Sequence, residues 1–347
     1  MTNGNMTIGS PPPPAAARPI RTTIFLFAAL AVFSVVACQV RSQSGADSDK
    51  LQIAVIPKGT THAFWNNIHA GAAKAASELD VEIIWQGPQK EDDRQLQIQV
   101  VQNFISRGID AIVLAPLDAR SLVRPVEAAV ARGIPVVIID SGLESTAQSS
   151  YIATDNFYGG ELAARRLAEV LDGRGKVIML RYQEGSASTT AREAGFLAGI
   201  KEVAPEIEII SDNQYAGATL EKGLQASQNL LNRFPQVDGI FTPNESSTQG
   251  MLRALQTSNR SGAVKLVGFD ANETLIGALR SGQILGIVVQ DPFDMAYRGV
   301  KTAVSVIKGA PYDTLFHSRV MMITEENIDT PEAQELLNPD LATWLHQ

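Results

Sequence analysis

The chain has 347 residues, of which 45% are hydrophobic and 19% charged, and its formal net charge is −8. This composition is typical of a globular protein, and the length suffices for two lobes of ordinary domain size. The acidic balance argues against a DNA- or RNA-binding surface. A single cysteine excludes an internal disulfide, so export has to be inferred from the N-terminal sequence.

An apolar run from Ile24 to Ala37 follows two arginines and ends directly before Cys38, the only cysteine. About 14 apolar residues are too few to span a bilayer comfortably, but they suit the core of a secretory signal. Cleavage at a small residue with an incidental cysteine is one interpretation. The residues Val35 to Cys38 are similar to a bacterial lipobox, which implies that Cys38 is lipidated. We therefore predict a lipoprotein signal peptide at 1–38 and a flexible tether at 39–50.

Strand and helix patterns alternate from residue 51 to about residue 308. Two unbroken apolar runs, 111–115 and 135–139, flank a helical pattern at 119–132. Apolar runs of this kind are typical of strands buried on both faces, as in a parallel sheet covered by helices. The alternation predicts a doubly wound α/β fold, and ten strands indicate two similar lobes rather than one.

The remaining elements follow from the same patterns. The predicted strands are 51–56, 81–85, 111–115, 135–139, 151–153, 176–180, 207–210, 239–241, 265–269 and 284–289. The predicted helices are 63–78, 94–107, 119–132, 156–171, 189–203, 220–233, 245–256, 274–280 and 293–308. We expect the chain to cross between the lobes near 153–156, and residues 331–346 to form a short helical tail.

Polar side chains follow several of the predicted strands, and the carboxyl ends of parallel strands meet at one edge of a sheet. These positions are the segment Lys58 to Trp65, then Asp140, Arg192, Asn244 with Glu245, Asp270 and Gln290. The residue types suit a neutral polyol. Carboxylates accept hydroxyl hydrogens, Arg192 offers forked donors, and the amides both donate and accept. Phe64 and Trp65 supply flat faces for a sugar ring.

Each of these residues also has a purely structural interpretation. Phe64 and Trp65 could belong to a hydrophobic core. Asn244 and Asp270 each precede a predicted helix and could be N-caps. Arg192 and Gln290 could form solvated or interlobe pairs. The convergence of all these positions on one predicted edge favours a binding site.

Several motifs carry a resemblance to a known family. They are His62-Ala-Phe-Trp65, Ile138-Ile-Asp140, Thr154-Asp-Asn156, Ala191-Arg192 ahead of Gly195-Phe196, Thr242-Pro-Asn244-Glu245, Val267-Gly-Phe-Asp270 and Val289-Gln290. Over about residues 51–319 the chain resembles the type I periplasmic sugar-binding proteins, close to the ribose-binding group of the LacI-type ligand-binding fold. The resemblance implies two doubly wound parallel-sheet lobes joined by a three-strand hinge.

The implied hinges lie near 153–156, 290–292 and 318–322. The implied N-terminal lobe consists of 51–154 with about 291–320, and the C-terminal lobe of 155–290. Residues 321–347 are then a C-terminal tail packed on a lobe.

The resemblance also implies an extracytoplasmic solute-binding protein of an ABC-type importer, which binds a monosaccharide (pentose or hexose) or a similar polyol and closes on it. The implied ligand-binding residues are His62, Phe64, Trp65, Asp140, Ser141, Arg192, Asn244, Asp270 and Gln290. The implied partners are an ABC transporter permease and a membrane. We expect a monomer in the periplasm or at the cell surface, anchored through Cys38, without cofactor, metal or nucleic acid.

Three positions depart from the family pattern. His62 replaces an asparagine, and Ser141 replaces an arginine that often follows the hinge-proximal aspartate. The aromatic residue expected after the seventh strand is replaced by Ala216 to Thr219, with Tyr215 nearby. The particular sugar or polar metabolite therefore stays open. His62 adds a group whose charge can change in the environmental pH range.

Three other classes of function differ in how well they fit the sequence. An enzyme is poorly supported, because the sequence has four histidines, no HExxH motif and no GxSxG nucleophile elbow. A repressor of the related family would need an N-terminal helix-turn-helix, where this chain has a signal sequence. A ligand-sensing lipoprotein that presents a small polar metabolite to a membrane receptor stays open, since a receptor and a permease would both recognise the closed form.

Overall fold

A computed structural model describes residues 50–345. The predicted signal peptide, Cys38 and the predicted tether up to residue 49 lie outside the described residues. The strands are β1 (Gln52–Ile56), β2 (Glu82–Trp85), β3 (Ala111–Leu114), β4 (Val136–Ile139), β5 (Ser150–Thr154), β6 (Arg174–Arg181), β7 (Glu206–Tyr215), β8 (Gly239–Phe241), β9 (Lys265–Phe269), β10 (Gly286–Gln290), β11 (Leu315–Ser318) and β12 (Val320–Ile323).

The helices alternate with these strands along the chain. They are α1 (Ala63–Leu79), α2 (Arg94–Arg107), α3 (Val123–Val130), α4 (Asn156–Val170), α5 (Ala187–Val203), α6 (Leu220–Arg233), α7 (Glu245–Thr257), α8 (Glu273–Arg280), α9 (Pro292–Ile307), α10 (Pro331–Leu337) and α11 (Leu341–Leu345). Across residues 50–345, each helix is too short or too polar to cross a membrane.

The strands form two six-stranded sheets with corresponding orders. The sheet of the N-terminal lobe has the order β11-β5-β4-β3-β1-β2 and is parallel throughout. The sheet of the C-terminal lobe has the order β12-β10-β9-β8-β6-β7, in which only β12 runs antiparallel to its neighbour. Each strand from β1 to β5 thus has a counterpart from β6 to β10. The predicted fold class of two doubly wound lobes is confirmed.

The central strands are covered on both faces, as their apolar composition predicts. Every residue of β3 and β4 is buried. Alternate residues of β3 belong to two different hydrophobic clusters, with Val113 on one face of the sheet and Ile112 on the other. Helices α1 and α9 cover the first face, and α2 and α3 cover the second. This arrangement leaves the carboxyl ends of the strands as the accessible edge.

The chain passes between the two lobes at three points. Asp155 joins β5 to α4, Asp291 joins β10 to α9, and Arg319 joins β11 to β12. At the first two crossings, the helix that follows the strand of one lobe packs in the other lobe, so the lobes exchange helices. Helix α4 packs on α5 of the C-terminal lobe, and α9 packs on α1 of the N-terminal lobe.

Glycines allow the exchanged helices to approach their partners closely. A Cβ atom on Gly195 of α5 would lie 2.0 Å from the carbonyl oxygen of Phe157, at the start of α4. A Cβ atom on Gly71 of α1 would lie 2.0 Å from the carbonyl oxygen of Phe293, at the start of α9. No other residue fits at either contact without a backbone shift. Helices α1 and α5, which carry these two glycines, also contribute side chains to the interlobe cleft.

The sequence patterns do not predict β11 and β12, and the bounds of several other elements differ from the structure, most clearly those of one helix and of the C-terminal tail. The helix expected at 119–132 is only Val123–Val130, because Asp118 Oδ1 accepts hydrogen bonds from the N–H groups of Arg120 (3.0 Å) and Ser121 (2.7 Å) and holds a turn. Pro125 therefore lies in the first helical turn, where proline is tolerated. The expected tail from residue 321 begins inside β12; its helix α10 packs on the C-terminal core, and α11 contacts α1 of the other lobe.

Candidate ligand-binding site

A cavity lies in the cleft between the lobes, at the carboxyl ends of both sheets. The space not filled by atoms is about 330 Å³, part of it open to solvent. The enclosed part of this space is only about 30 Å³, well below the roughly 300–1,000 Å³ of typical ligand pockets. The lining residues are Lys58, His62, Phe64, Trp65, Glu91, Asp140, Tyr182, Ser188, Thr189, Arg192, Asn244, Glu245, Asp270 and Gln290.

All the predicted binding residues except Ser141 line this cavity. Ser141 is buried beside it, and its Oγ accepts a hydrogen bond from the N–H of Ser188 across the cleft (3.1 Å). The interlobe contact explains why a small hydroxyl side chain stands there. The structure thus places Ser141 at the junction of the lobes rather than in the cavity wall.

Two aspartates occupy equivalent positions in the two lobes. Asp140 directly follows β4 with φ 62°, and Asp270 directly follows β9 with φ 65°. The N–H of Asp140 donates to the carbonyl of Ile152 (3.0 Å), and that of Asp270 to the carbonyl of Val288 (2.8 Å). Left-handed backbone costs a non-glycine residue about 1–2 kcal/mol and is found preferentially at functional sites. In both lobes the strained turn leaves the carboxylate on the cavity wall.

Asp140 forms a buried ion pair with Lys58, which lies two residues after the end of β1. The Nζ atom lies 2.7 Å from Asp140 Oδ2 and also donates to Ser188 Oγ of the other lobe (3.1 Å). The contact between the charges is close but not aligned as a hydrogen bond, so the lone pairs of Oδ2 have no hydrogen-bond partner among the described residues. A ligand hydroxyl would supply one.

Arg192 lies within α5 rather than at the end of β6, and only 2% of it is exposed. Its Nε donates to Asn156 Oδ1 (2.8 Å) and its Nη1 to the carbonyl of Pro243 (2.9 Å). The guanidinium carbon lies 3.9 Å from the centre of the Phe269 ring. Nη2 is buried without a hydrogen-bond partner in residues 50–345. Because burial without a partner is costly, this nitrogen is the clearest ligand-directed donor of the cavity.

Asp270 is held from two sides within the C-terminal lobe. Its Oδ1 accepts from Gln290 Nε2 (2.6 Å), and its Oδ2 accepts from the N–H of Glu245 (3.2 Å). Burial raises the pKa of Asp270 to about 6, although Arg192 and Gln290 act in the opposite direction. The carboxylate therefore titrates near neutral pH.

His62 and Glu91 form an ion pair on the opposite wall. His62 Nδ1 lies 2.6 Å from Glu91 Oε1, which also accepts from Trp65 Nε1 (2.7 Å). Burial alone would lower the pKa of His62, but the charge and hydrogen bond of Glu91 raise it to about 9. Burial opposes ionisation of Glu91 as well, yet His62, Lys58 and Tyr182 lower its pKa to about 2. Both groups are therefore charged at neutral pH.

The aromatic residues serve the core and the cavity together. Phe64 and Trp65 pack edge to face with ring centres 4.9 Å apart, and both belong to the hydrophobic core of the N-terminal lobe. Tyr215 is 43% exposed and does not line the cavity. Tyr182, directly after β6, lines it instead and donates its hydroxyl to Glu91 Oε2 across the cleft (2.6 Å).

The capping interpretation is correct for one of the two residues considered. Asn244 is the N-cap of α7, with a capping box to Ser247, and it also lines the cavity. Asp270 is not a cap, because Asn272 caps α8.

Sequence reasoning missed several residues of the cavity wall. Tyr182 directly follows β6, so its position in the chain is a signal of the same kind as that of Asp140 and Asp270. Glu91 has no such signal, since it lies in the loop between β2 and α2.

Comparison with known proteins agrees with this geometry. Residues 53–311 match a family model described as periplasmic binding protein domain. The chain belongs to this family. It is 30% identical over 257 residues to the ribose import binding protein RbsB of Escherichia coli K12, which covers 74% of this chain and 85% of that protein.

Two solved members of the periplasmic binding protein family are similar over most of the chain. A carbohydrate transporter solute binding protein from Agrobacterium radiobacter, in complex with D-arabinose, has a TM-score of 0.80 and 34% identity, covering 84% of this chain and 99% of that one. An ABC transporter solute binding protein from Agrobacterium vitis with bound D-fucose has a TM-score of 0.80 and 33% identity, covering 83% and 100%.

Proposed function

We propose that this chain is the extracytoplasmic solute-binding protein of an ABC-type importer and binds a neutral monosaccharide, a pentose or a hexose, in the interlobe cleft. The observation that carries the proposal is that the two cleft aspartates, Asp140 and Asp270, line the same cavity as buried Arg192, whose Nη2 has no hydrogen-bond partner in residues 50–345. Sugar hydroxyls donate and accept at the same time, so they match a wall that contains carboxylates, a guanidinium and amides.

The other walls support the same class of ligand. Phe64, Trp65 and Tyr182 provide apolar surface, and a sugar ring has C–H faces that pack on aromatic rings. The charged residues of the N-terminal wall are largely paired within the protein, Lys58 with Asp140 and His62 with Glu91. A ligand without net charge leaves these pairs intact. Solved relatives hold D-arabinose and D-fucose, which are such ligands.

A thermal-shift panel of D-ribose, D-arabinose, D-fucose, other monosaccharides and polyols tests the proposal. A ligand at about a thousandfold its dissociation constant adds about 4 kcal/mol of stability, which shifts the midpoint clearly. We expect at least one monosaccharide to stabilise the protein. Asp270→Ala should weaken binding by about 2–5 kcal/mol, because ligand hydroxyls lose an ionised acceptor in a desolvated site. A panel without any response, or an unchanged affinity in Asp270→Ala, would contradict the proposal.

We also propose that the protein is a monomer anchored through lipidated Cys38 and delivers its ligand to a permease. The support is the apolar run before Cys38 in the sequence. Cys38→Ser should move the protein from the membrane fraction to the soluble fraction and abolish labelling by a fatty acid. Deletion of the gene that encodes this protein should abolish uptake of the sugar identified in the panel. If cells that lack the protein take up the sugar normally but no longer respond to it, the result would instead favour the receptor alternative.

A further inference from the structure

Helix α1 begins without a cap of its own. His62 occupies the N-cap position with extended backbone, but its side chain makes no capping hydrogen bond, and the first turn contains no acidic residue. Several other helices have local side-chain caps, such as Asp93 before α2 and Asp155 before α4, whereas α3 and α5 lack one as α1 does. The first N–H groups of a helix need acceptors from outside the helix. The acceptors for α1 must therefore come from elsewhere.

The other lobe supplies them. Glu245 Oε1 accepts from the N–H of Ala63, and Glu245 Oε2 accepts from the N–H of Phe64, both at 3.3 Å. Asn272 Nδ2 also donates to Oε1 (3.1 Å) and fixes the carboxylate from its own lobe. Only 6% of Glu245 is exposed.

The carboxylate of Glu245 lies at the N-terminal ends of two helices. It is the first residue of α7, and its carboxylate faces the start of α1, so two helix N-termini converge on one anion. The positive end of a helix dipole stabilises an anion placed within its first turn. The negative charge of Glu245 also raises the pKa of nearby His62.

We propose that Glu245 is a cross-lobe cap, which completes the first turn of α1 only when the cleft is closed. This turn carries His62, Phe64 and Trp65, which form one wall of the cavity. Closing the cleft thereby orders the wall that meets the ligand, and ordering the wall favours closure. Glu245 is thus a positioning residue. Its effect on affinity rests on the proposed function, whereas its effect on the start of α1 does not.

The test compares Glu245→Gln with a matched control. The glutamine retains the shape and one oxygen acceptor but loses the charge. Glu273→Gln is the control, because Glu273 is also the first residue of a helix, directly follows an asparagine cap and belongs to the same lobe, but is exposed. Hydrogen exchange of the Ala63 and Phe64 amides reports the cap directly. Calorimetric titration with the sugar from the panel reports the affinity.

We expect exchange of these two amides to be about tenfold faster in Glu245→Gln, with sugar affinity about tenfold weaker, since charge-assisted hydrogen bonds are roughly twice as strong as neutral ones. Glu273→Gln should match the wild type in both measurements. Equal exchange in the sugar-bound wild type and the sugar-bound Glu245→Gln would overturn the cross-lobe cap. If no sugar binds, the proposed function fails, and the same exchange measurement then decides the cap in proteins whose cleft is held closed by a disulfide between Ser141→Cys and Ser188→Cys, two residues in contact across the cleft.

Discussion

Asp270 should make sugar binding depend on pH, and the size of the effect follows from its environment. Burial raises the pKa of this carboxyl group to about 6 in the ligand-free protein. Ligand hydroxyls that donate to the carboxylate favour its ionised form, so binding lowers the pKa. If the pKa of the complex is about 4 or below, binding releases a proton, and affinity falls as the pH drops through about 6.

The expected magnitude comes from the protonated fraction of the free protein. At about pH 7 about one tenth of the Asp270 carboxyl groups are protonated, and at about pH 5 about nine tenths are. The dissociation constant should therefore be about tenfold higher at about pH 5 than at about pH 7. His62, with a pKa of about 9, and Glu91, with a pKa of about 2, keep their charges across this range.

Isothermal titration calorimetry at several pH values and constant ionic strength measures this dependence. Repeating the titration at about pH 6 in buffers of different ionisation enthalpy should show release of about half a proton per ligand bound. Asp270→Asn should bind more weakly and with little pH dependence. A flat affinity profile in the wild type, or the same slope in Asp270→Asn, would refute the assignment of this titration to Asp270.

Three further predictions follow from contacts described above. In urea titrations, Gly195→Ala should lower the free energy of unfolding by about 3 kcal/mol, because the new Cβ has no room. Gly277→Ala should raise the free energy of unfolding by about 0.5–1 kcal/mol, because no atom lies within 4 Å of its new Cβ and alanine favours the helix. Tyr182→Phe should weaken sugar binding about tenfold with an unchanged circular dichroism spectrum, because it leaves Oε2 of buried Glu91 unpaired; an unchanged affinity would remove Tyr182 from the site. Arg192→Lys should weaken binding at least about a hundredfold by calorimetry, since lysine lacks the forked donors; a near-normal affinity would show that the fork is not used.

The sequence predicts the sheet well, because its signal is local. Strands β3 and β4 are uniformly apolar, and a strand buried on both faces needs that composition. The predicted boundaries deviate where side chains compete for the backbone. The carboxylate of Asp118 accepts hydrogen bonds from two backbone N–H groups, so α3 begins later than expected. The spacing of apolar residues does not reveal this competition.

The candidate site is predictable where a residue directly follows a strand, as Asp140 and Asp270 do. It is not predictable where the decisive partner is distant in sequence. Glu91 enters the cavity from a loop, and its role depends on Tyr182, which is 91 residues away. Ser141 shows the opposite error. It follows a strand closely, as several other predicted residues do, but its side chain contacts the other lobe instead of lining the cavity. Single-residue patterns identify edges of sheets, but not the pairings made across a cleft.

The exchange of helices between lobes also has a consequence for the order in which the protein can fold. The N-terminal sheet receives its edge strand β11 and its covering helix α9 from residues 292–318. Met295, Val300 and Val304 of α9 belong to the same core cluster as Ile53 of β1. A growing or translocating chain therefore exposes this apolar face until nearly all of it has emerged. The lobe that begins first is therefore completed only after strands β6 to β10 of the other lobe have been made.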